Sequence, residues 1–253
     1  MYKRYRNLAK PLIVDVNSYY PGVKIVVITD DPDDFSEYAN VIAIKHKQQS
    51  MLIPLNDKRR VIEEGLKRFP TVICVDSDCR LTNNVASKIE WPPGIVSNYD
   101  TERSMWQNIE KFCPQDVDVY RKLLTKIPLV RDLRESKFAI PNFFIISRDN
   151  GKEKDFLEYW RKIILYTELH RCKNVFDAYP LGVSLACVGW SPKLFKDVHP
   201  ELGSLINHIG QYSSGRREKE TFISRKKKQF LFRYRWVKIL GTCLSDDFNF
   251  YFK

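Results

Sequence analysis

The sequence predicts an α/β fold, a mixed and mainly parallel sheet flanked by helices, and three observations predict it. Short β-branched runs at VKIVVIT (23–29), NVIAIK (40–45) and TVICV (71–75) read as strands of a buried sheet. A stretch with helical spacing, DKRRVIEEGLKRF (57–69), separates the second run from the third, as a crossover between parallel strands requires. Carboxylates gather where two of these strands end, at Asp30 and at Asp76 and Asp78, the edge at which open α/β sheets bind ligands.

The elements follow in chain order. Leu8, Leu12, Val16 and Tyr20 recur every four residues and predict an amphipathic helix kinked at Pro11, with a strand at LIVDV (12–16) as the alternative. The strand at 23–29 stops at the polar cluster Asp30, Asp31, Pro32, Asp33 and Asp34. In 57–69, Val61, Ile62, Leu66 and Phe69 share a helix face, and Asn56 or Asp57 can cap its start. WPPG (91–94) is a turn, a polar helical stretch runs over about 103–133, and FAIPNFFIIS (138–147) forms one or two strands around Pro141. KEKDFLEYWRKIILYTELH (152–170) is an amphipathic helix that buries Phe156, Leu157, Trp160, Ile163 and Ile164, with Leu169 at its margin. VSLACVGW (183–190) is apolar again, and a basic segment closes the chain.

A chain of 253 residues is long enough to bury a core without staples, and 43% hydrophobic residues argue against disorder. The six cysteines form no CxxC pair, which points to reduced, buried thiols rather than a zinc ribbon or disulfide framework. No apolar run reaches the ~18 residues of a membrane span, and PLIVDV after the basic start is interrupted by Asp15, unlike a secretory signal. The expected location is cytoplasmic. The expected organisation is one domain over 1–211 and a basic, aromatic extension over 212–253 packed on it. The net charge of +11 is concentrated late: residues 212–238 hold ten Lys or Arg against Glu218 and Glu220, an excess of eight. Such a segment attracts anions, whether phosphates, an acidic membrane surface, a glycan or nucleic acid.

The Asp-Ser-Asp at 76–78 poses the functional question. In extended backbone, alternate side chains share a face, about 6–7 Å apart along the strand. Two carboxylates so placed repel unless a cation bridges them, and hard Mg²⁺ or Mn²⁺ ions suit oxygen ligands and phosphates. The competing expectation is a solvated turn in which Asp78 caps the next element.

The order of elements, a strand ending in Thr29-Asp30, a helix opening with Lys58, Arg59 and Arg60, then TVICV and Asp76-Ser77-Asp78, resembles the nucleotide-sugar glycosyltransferases of the GT-A fold. That resemblance covers about Val23 to Leu81 and implies a Rossmann-related sheet, a nucleotide-sugar donor with UDP-sugars favoured, and a divalent metal on Asp76 and Asp78. It also implies that the metal neutralises charge on the departing diphosphate, with Asp76 near the ribose. Asn207-His208-Ile209-Gly210 looks like the HxG of glycogenin-like, retaining members, which makes His208 a third metal ligand. Ser213 stands where those members carry a diphosphate-binding Lys, and the nearest cations are Arg216, Arg217 and Lys219. The first GT-A strand has no clear counterpart: either LIVDV takes its place or the base pocket is incomplete. On the same resemblance Asp30 lines the nucleotide site, and Lys58, Arg60, Arg216 and Lys219 share the diphosphate charge. Asp177, ahead of an apolar helix in VFDAYPLG (175–182), becomes the candidate base, with Glu168 second; a helix N-cap is the alternative role for Asp177.

Two rival functions remain. A sugar-nucleotide nucleotidyltransferase usually shows a Gly-rich phosphate loop near its start, and none is present here. A binding module for nucleic acid or an anionic surface would use the tail, where Phe230, Phe232, Tyr234 and Trp236 alternate with Arg233 and Arg235. An amphipathic strand with its aromatics buried explains that alternation too, and nucleic acid is not the expected partner. Peripheral association of 212–238 with an anionic membrane is a further expectation, and the acceptor could be a glycan, a protein or a lipid-linked group.

Overall fold

The structure, a computed structural model, describes residues 3–47, 57–85, 88–170, 172 and 177–208. Its elements are mixed α and β, as the strand and helix patterns predict. Helix α1 (Lys3–Tyr19) contains Pro11 and leads to β1 (Ile25–Thr29) and β2 (Val41–Lys45); the helical reading of 8–20 holds, and LIVDV is not a strand. Then come α2 (Lys58–Arg68), β3 (Thr71–Val75), β4 (Cys79–Leu81) and β5 (Gly94–Ser104). The expected helical stretch over 103–133 is broken into α3 (Met105–Phe112) and α4 (Val117–Leu124), because Pro114 opens a separate short turn between them. A capping box stops α3 from extending backwards: the Ser104 hydroxyl accepts from the Gln107 N–H, and the Gln107 side chain accepts from the Ser104 N–H. The chain continues through β6 (Lys137–Ser147), α5 (Lys152–Leu169), α6 (Ala178–Cys187), α7 (Phe195–Val198) and β7 (Ile206–His208).

The sheet differs from the mainly parallel expectation. Among the described residues, β1 and β2 pair in parallel, while β3–β6–β5 form an antiparallel three-stranded sheet and β4 pairs antiparallel with β7. Helix α2 forms where its spacing predicts and packs on both β1 and β3, but among the described residues it does not join parallel partners, since β3 pairs with neither β1 nor β2. The ladder partner of β3, however, is β6, an element 62 residues further on (Val75 to Lys137) whose direction the local spacing does not encode.

Strand β6 is buried on both faces, which explains its continuous apolar run. Phe144 and Ile146 face a core with Ile62, Leu66, Phe156, Trp160 and Leu185 from α2, α5 and α6. Phe143 and Ile145 face a second cluster that includes Phe195, Leu202 and, from α1, Leu12 and Val16. The third cluster joins α3 and α4 to α5 and α6, and a fourth sets Ala9 and Ile13 of α1 on Val27 of β1. Strand β1 is only half covered, with Val23 beside it 49% exposed, so the fully buried strand read from VKIVVIT is not what forms. The five cysteines in the described residues are free and buried, as composition suggested. Among these residues no helix is long and apolar enough to cross a membrane.

Candidate functional site

Strand β3 ends at Val75 and the chain reverses at once. The Cys79 N–H donates to the Asp76 carbonyl at 3.0 Å, so Asp76-Ser77-Asp78 is a tight turn into β4 rather than an extended stretch. The two carboxylates are therefore brought together by a reversal and not by the pleat of a strand. The Asp76 N–H bonds the Asn142 carbonyl at 2.9 Å, tying the turn to β6.

Lys58 opens α2 directly beside this turn. Its ammonium lies 2.7 Å from Asp76 Oδ1 and 2.6 Å from Asp177 Oδ2, and it donates to the Pro141 carbonyl at 3.1 Å. Its side chain is 13% exposed and that of Asp177 only 5%. Pro141 lacks an N–H, and the β5–β6 register shifts between Ser97 and Tyr99 where Pro141 stands opposite. This break in the β5–β6 ladder leaves the Pro141 carbonyl to serve Lys58, while the Asn142 carbonyl continues the β3–β6 register to Asp76. Both groups were missed in the sequence; the signal for them was a proline inside an apolar strand run.

The electrostatics are lopsided. Burial disfavours the Lys58 ammonium, but Asp177 and Asp76 outweigh it and hold its pKa above the ordinary lysine range. A simple ion pair would depress Asp76 in return, yet Asp76 is raised. Burial is the largest cause and, with smaller repulsions from Asp177 and Asp78, exceeds the relief that Lys58 gives. One cation is shared by two carboxylates, with a third, Asp78, nearby. Burial also pushes the thiols on either side, Cys74 and Cys79, up to about 12, so both stay protonated and inert.

Asp177 stands at the N-cap position of α6, but its side chain makes no cap hydrogen bond; it turns to Lys58 instead. Its Oδ2 is fully buried against the Lys58 ammonium. Asp57, proposed as the cap of α2, behaves alike: its carboxylate pairs with His46 Nε2 at 2.8 Å and does not cap.

The register of β7 adds a further element. His208 pairs with Cys79 and Asn207 with Arg80, so the backbone of His208 lies across from the residue that follows Asp78. Asp76 and Asp78 in one turn, with His208 one register step away in the backbone, are the residues that could hold a hard divalent cation. Taken without the His208 side chain, the described residues contain no group of three potential ligands.

Other expected site residues are placed elsewhere. Arg6 holds the carboxylate of Asp30 at 2.5 Å and also contacts Asp31 and Asp34, which fastens α1 to the end of β1. Arg60 pairs with Glu63 at 2.5 Å on its own helix instead of reaching the Asp76 turn. Glu168 is 1% exposed in the last turn of α5 and is not a partner of Lys58. Arg216, Lys219 and the whole extension over 212–253 lie outside the described residues. No family model matches the chain, and no curated protein matches it.

Proposed function

We propose that this chain is a metal-dependent glycosyltransferase of the GT-A type, which moves a sugar from a nucleotide-sugar donor, a UDP-sugar first, to an acceptor. One observation carries this: the Asp76–Asp78 turn is flanked on one side by Lys58 and Asp177 and on the other, through the β4–β7 register, by His208. Asp76, Asp78 and His208 would hold Mn²⁺ or Mg²⁺. When bound, the ion supplies charge neutralisation for the leaving diphosphate. Lys58 holds the Asp76 and Asp177 carboxylates together through one ammonium. Held beside Asp76 by one ammonium, Asp177 belongs on the metal side of the sugar, which favours a role in gripping the donor.

Calorimetry against a panel of nucleoside diphosphates, each with and without Mn²⁺, tests the proposal. The expected result is uptake of one base that requires the cation. Asp78→Asn is expected to abolish that uptake and sugar transfer, with an unchanged circular dichroism spectrum. Full metal-dependent turnover by Asp78→Asn would refute the assignment.

A further inference from the structure

Strand β4 is three residues long, and so is its partner β7. So short a ribbon does not hold its own register in water, yet the metal site proposed above depends on that register. Asp15 anchors one of its two strands, β4, from outside the ribbon. It lies on α1 and is 8% exposed, between Leu12 and Val16, whose side chains pack into an apolar cluster. A carboxylate buried there is expensive unless fully paired, and three donors from β4 converge on it. Arg80 Nε reaches Oδ2 at 2.5 Å, Arg80 Nη2 reaches Oδ1 at 2.6 Å, and the Leu81 N–H reaches Oδ2 at 3.1 Å. The fork-to-fork pair sets orientation as well as distance, and the backbone bond fixes the strand itself. Two tyrosines of the same region extend the grip: Tyr19 donates to the Thr82 carbonyl at 3.2 Å, and the Val85 N–H donates to the Tyr20 hydroxyl at 2.7 Å.

We propose that Asp15 is the positioning residue of the Asp76–Asp78 turn, locking β4 onto α1 so that Asp78 stays where a cation shared with Asp76 needs it. An apolar residue would stabilise this interface as well as a buried ion pair does; what the carboxylate adds is geometry. The inference rests on reading the turn as a metal site, and outer groups that orient ligands typically alter metal affinity 10–100-fold when removed.

The test uses the full chain with Mn²⁺ alone as probe. Asp15→Asn keeps the shape and removes the charge. Arg80→Gln breaks the fork from its more exposed side and leaves Asp15 to accept from Leu81, which provides a second variant should the first not fold. Ile109→Val in α3 serves as a control that loosens the core far from α1 and β4. Mn²⁺ affinity is read by calorimetry, and hydrogen exchange of the Cys79 amide, which closes the turn, is read by NMR. Both Asp15 and Arg80 variants are expected to weaken Mn²⁺ binding about tenfold or more and to speed Cys79 exchange, while Ile109→Val changes neither. Unchanged affinity and exchange in the Asp15 and Arg80 variants, or equal losses in the control, overturn the proposal. If the wild-type chain takes up no Mn²⁺, the metal reading falls, and the Cys79 exchange arm alone decides whether Asp15 sets the turn.

Discussion

Lys58 is the residue on which the site turns, since a single ammonium faces Asp76, Asp177 and the Pro141 carbonyl in a largely buried setting. Removing one partner of a buried pair leaves uncompensated charge, so Lys58→Met is expected to destabilise the fold by about 3–5 kcal/mol, measured by urea unfolding. An unfolding midpoint at the wild-type value would show that the carboxylates are solvated and the site open. Because its folded-state pKa is raised, the stabilisation from Lys58 is intact below its ordinary value of 10.5 and is lost only as pH climbs through the higher folded value. Asp30 shows the opposite sign. Burial raises it, but the Arg6 hydrogen bond and charge prevail and hold it below its ordinary 3.8. Its contribution is therefore complete above 3.8 and is lost as pH falls below that. In a carbon-detected NMR titration, the Asp30 carboxyl should turn over below 3.8 in the wild type and move back towards it in Arg6→Gln; a wild-type midpoint above 3.8 would contradict the ion pair.

At the scale of elements, α2 delivers Lys58 to the turn only because it lies close on β3. A β-carbon at Gly65 would sit 2.8 Å from Val72 Cγ2, closer than real contacts allow. Alanine in mid-helix normally gains up to about 1 kcal/mol over glycine, but overpacking against a stiff, β-branched neighbour costs about 1–3 kcal/mol. Gly65→Ala is therefore expected to lower the melting temperature, and a rise in thermal scans would mean that α2 moves off β3 freely. Local signals of this kind were legible in the sequence: the spacing of Val61, Ile62 and Leu66 located α2, and the run TVICV located β3 with the acidic turn after it. Pairing was not legible. The antiparallel partnership of β3 with β6 joins residues more than sixty positions apart, and only packing on both faces of Phe143 to Ile146 decides it. Caps misled for a related reason. Asp57 and Asp177 occupy the right positions, but the His46 ring and the Lys58 ammonium, reached through the tertiary fold, take their carboxylates instead of a backbone N–H.

At the scale of the molecule, the candidate site joins elements far apart in sequence: α2, the β3–β4 turn, the irregular middle of β6, the start of α6 and β7. The sequence order supplied Lys58, Asp76, Asp78, Asp177 and His208 as a set through a family resemblance, yet their convergence on one turn depends on contacts no local pattern encodes. Convergence of this kind predicts a linkage between ligand and global stability, because a ligand that needs every one of these elements binds only the folded chain. At a concentration one hundred times its dissociation constant, such a ligand adds about 2.7 kcal/mol. A uridine diphosphate with Mn²⁺ should thus raise the unfolding midpoint together, each alone far less, and the shift should survive 0.5 M salt because the site is largely buried. A protein that instead worked through the excess of eight positive charges at 212–238 would behave in the opposite way. Its partner would be a polyanion, the binding would weaken steeply with salt, and Mn²⁺ would make no specific difference. Thermal unfolding across a grid of salt, Mn²⁺ and uridine diphosphate separates the two. A midpoint that responds to heparin or single-stranded DNA at low salt, and stays flat with the nucleotide and metal, would transfer the function from the Asp76–Asp78 turn to the basic segment.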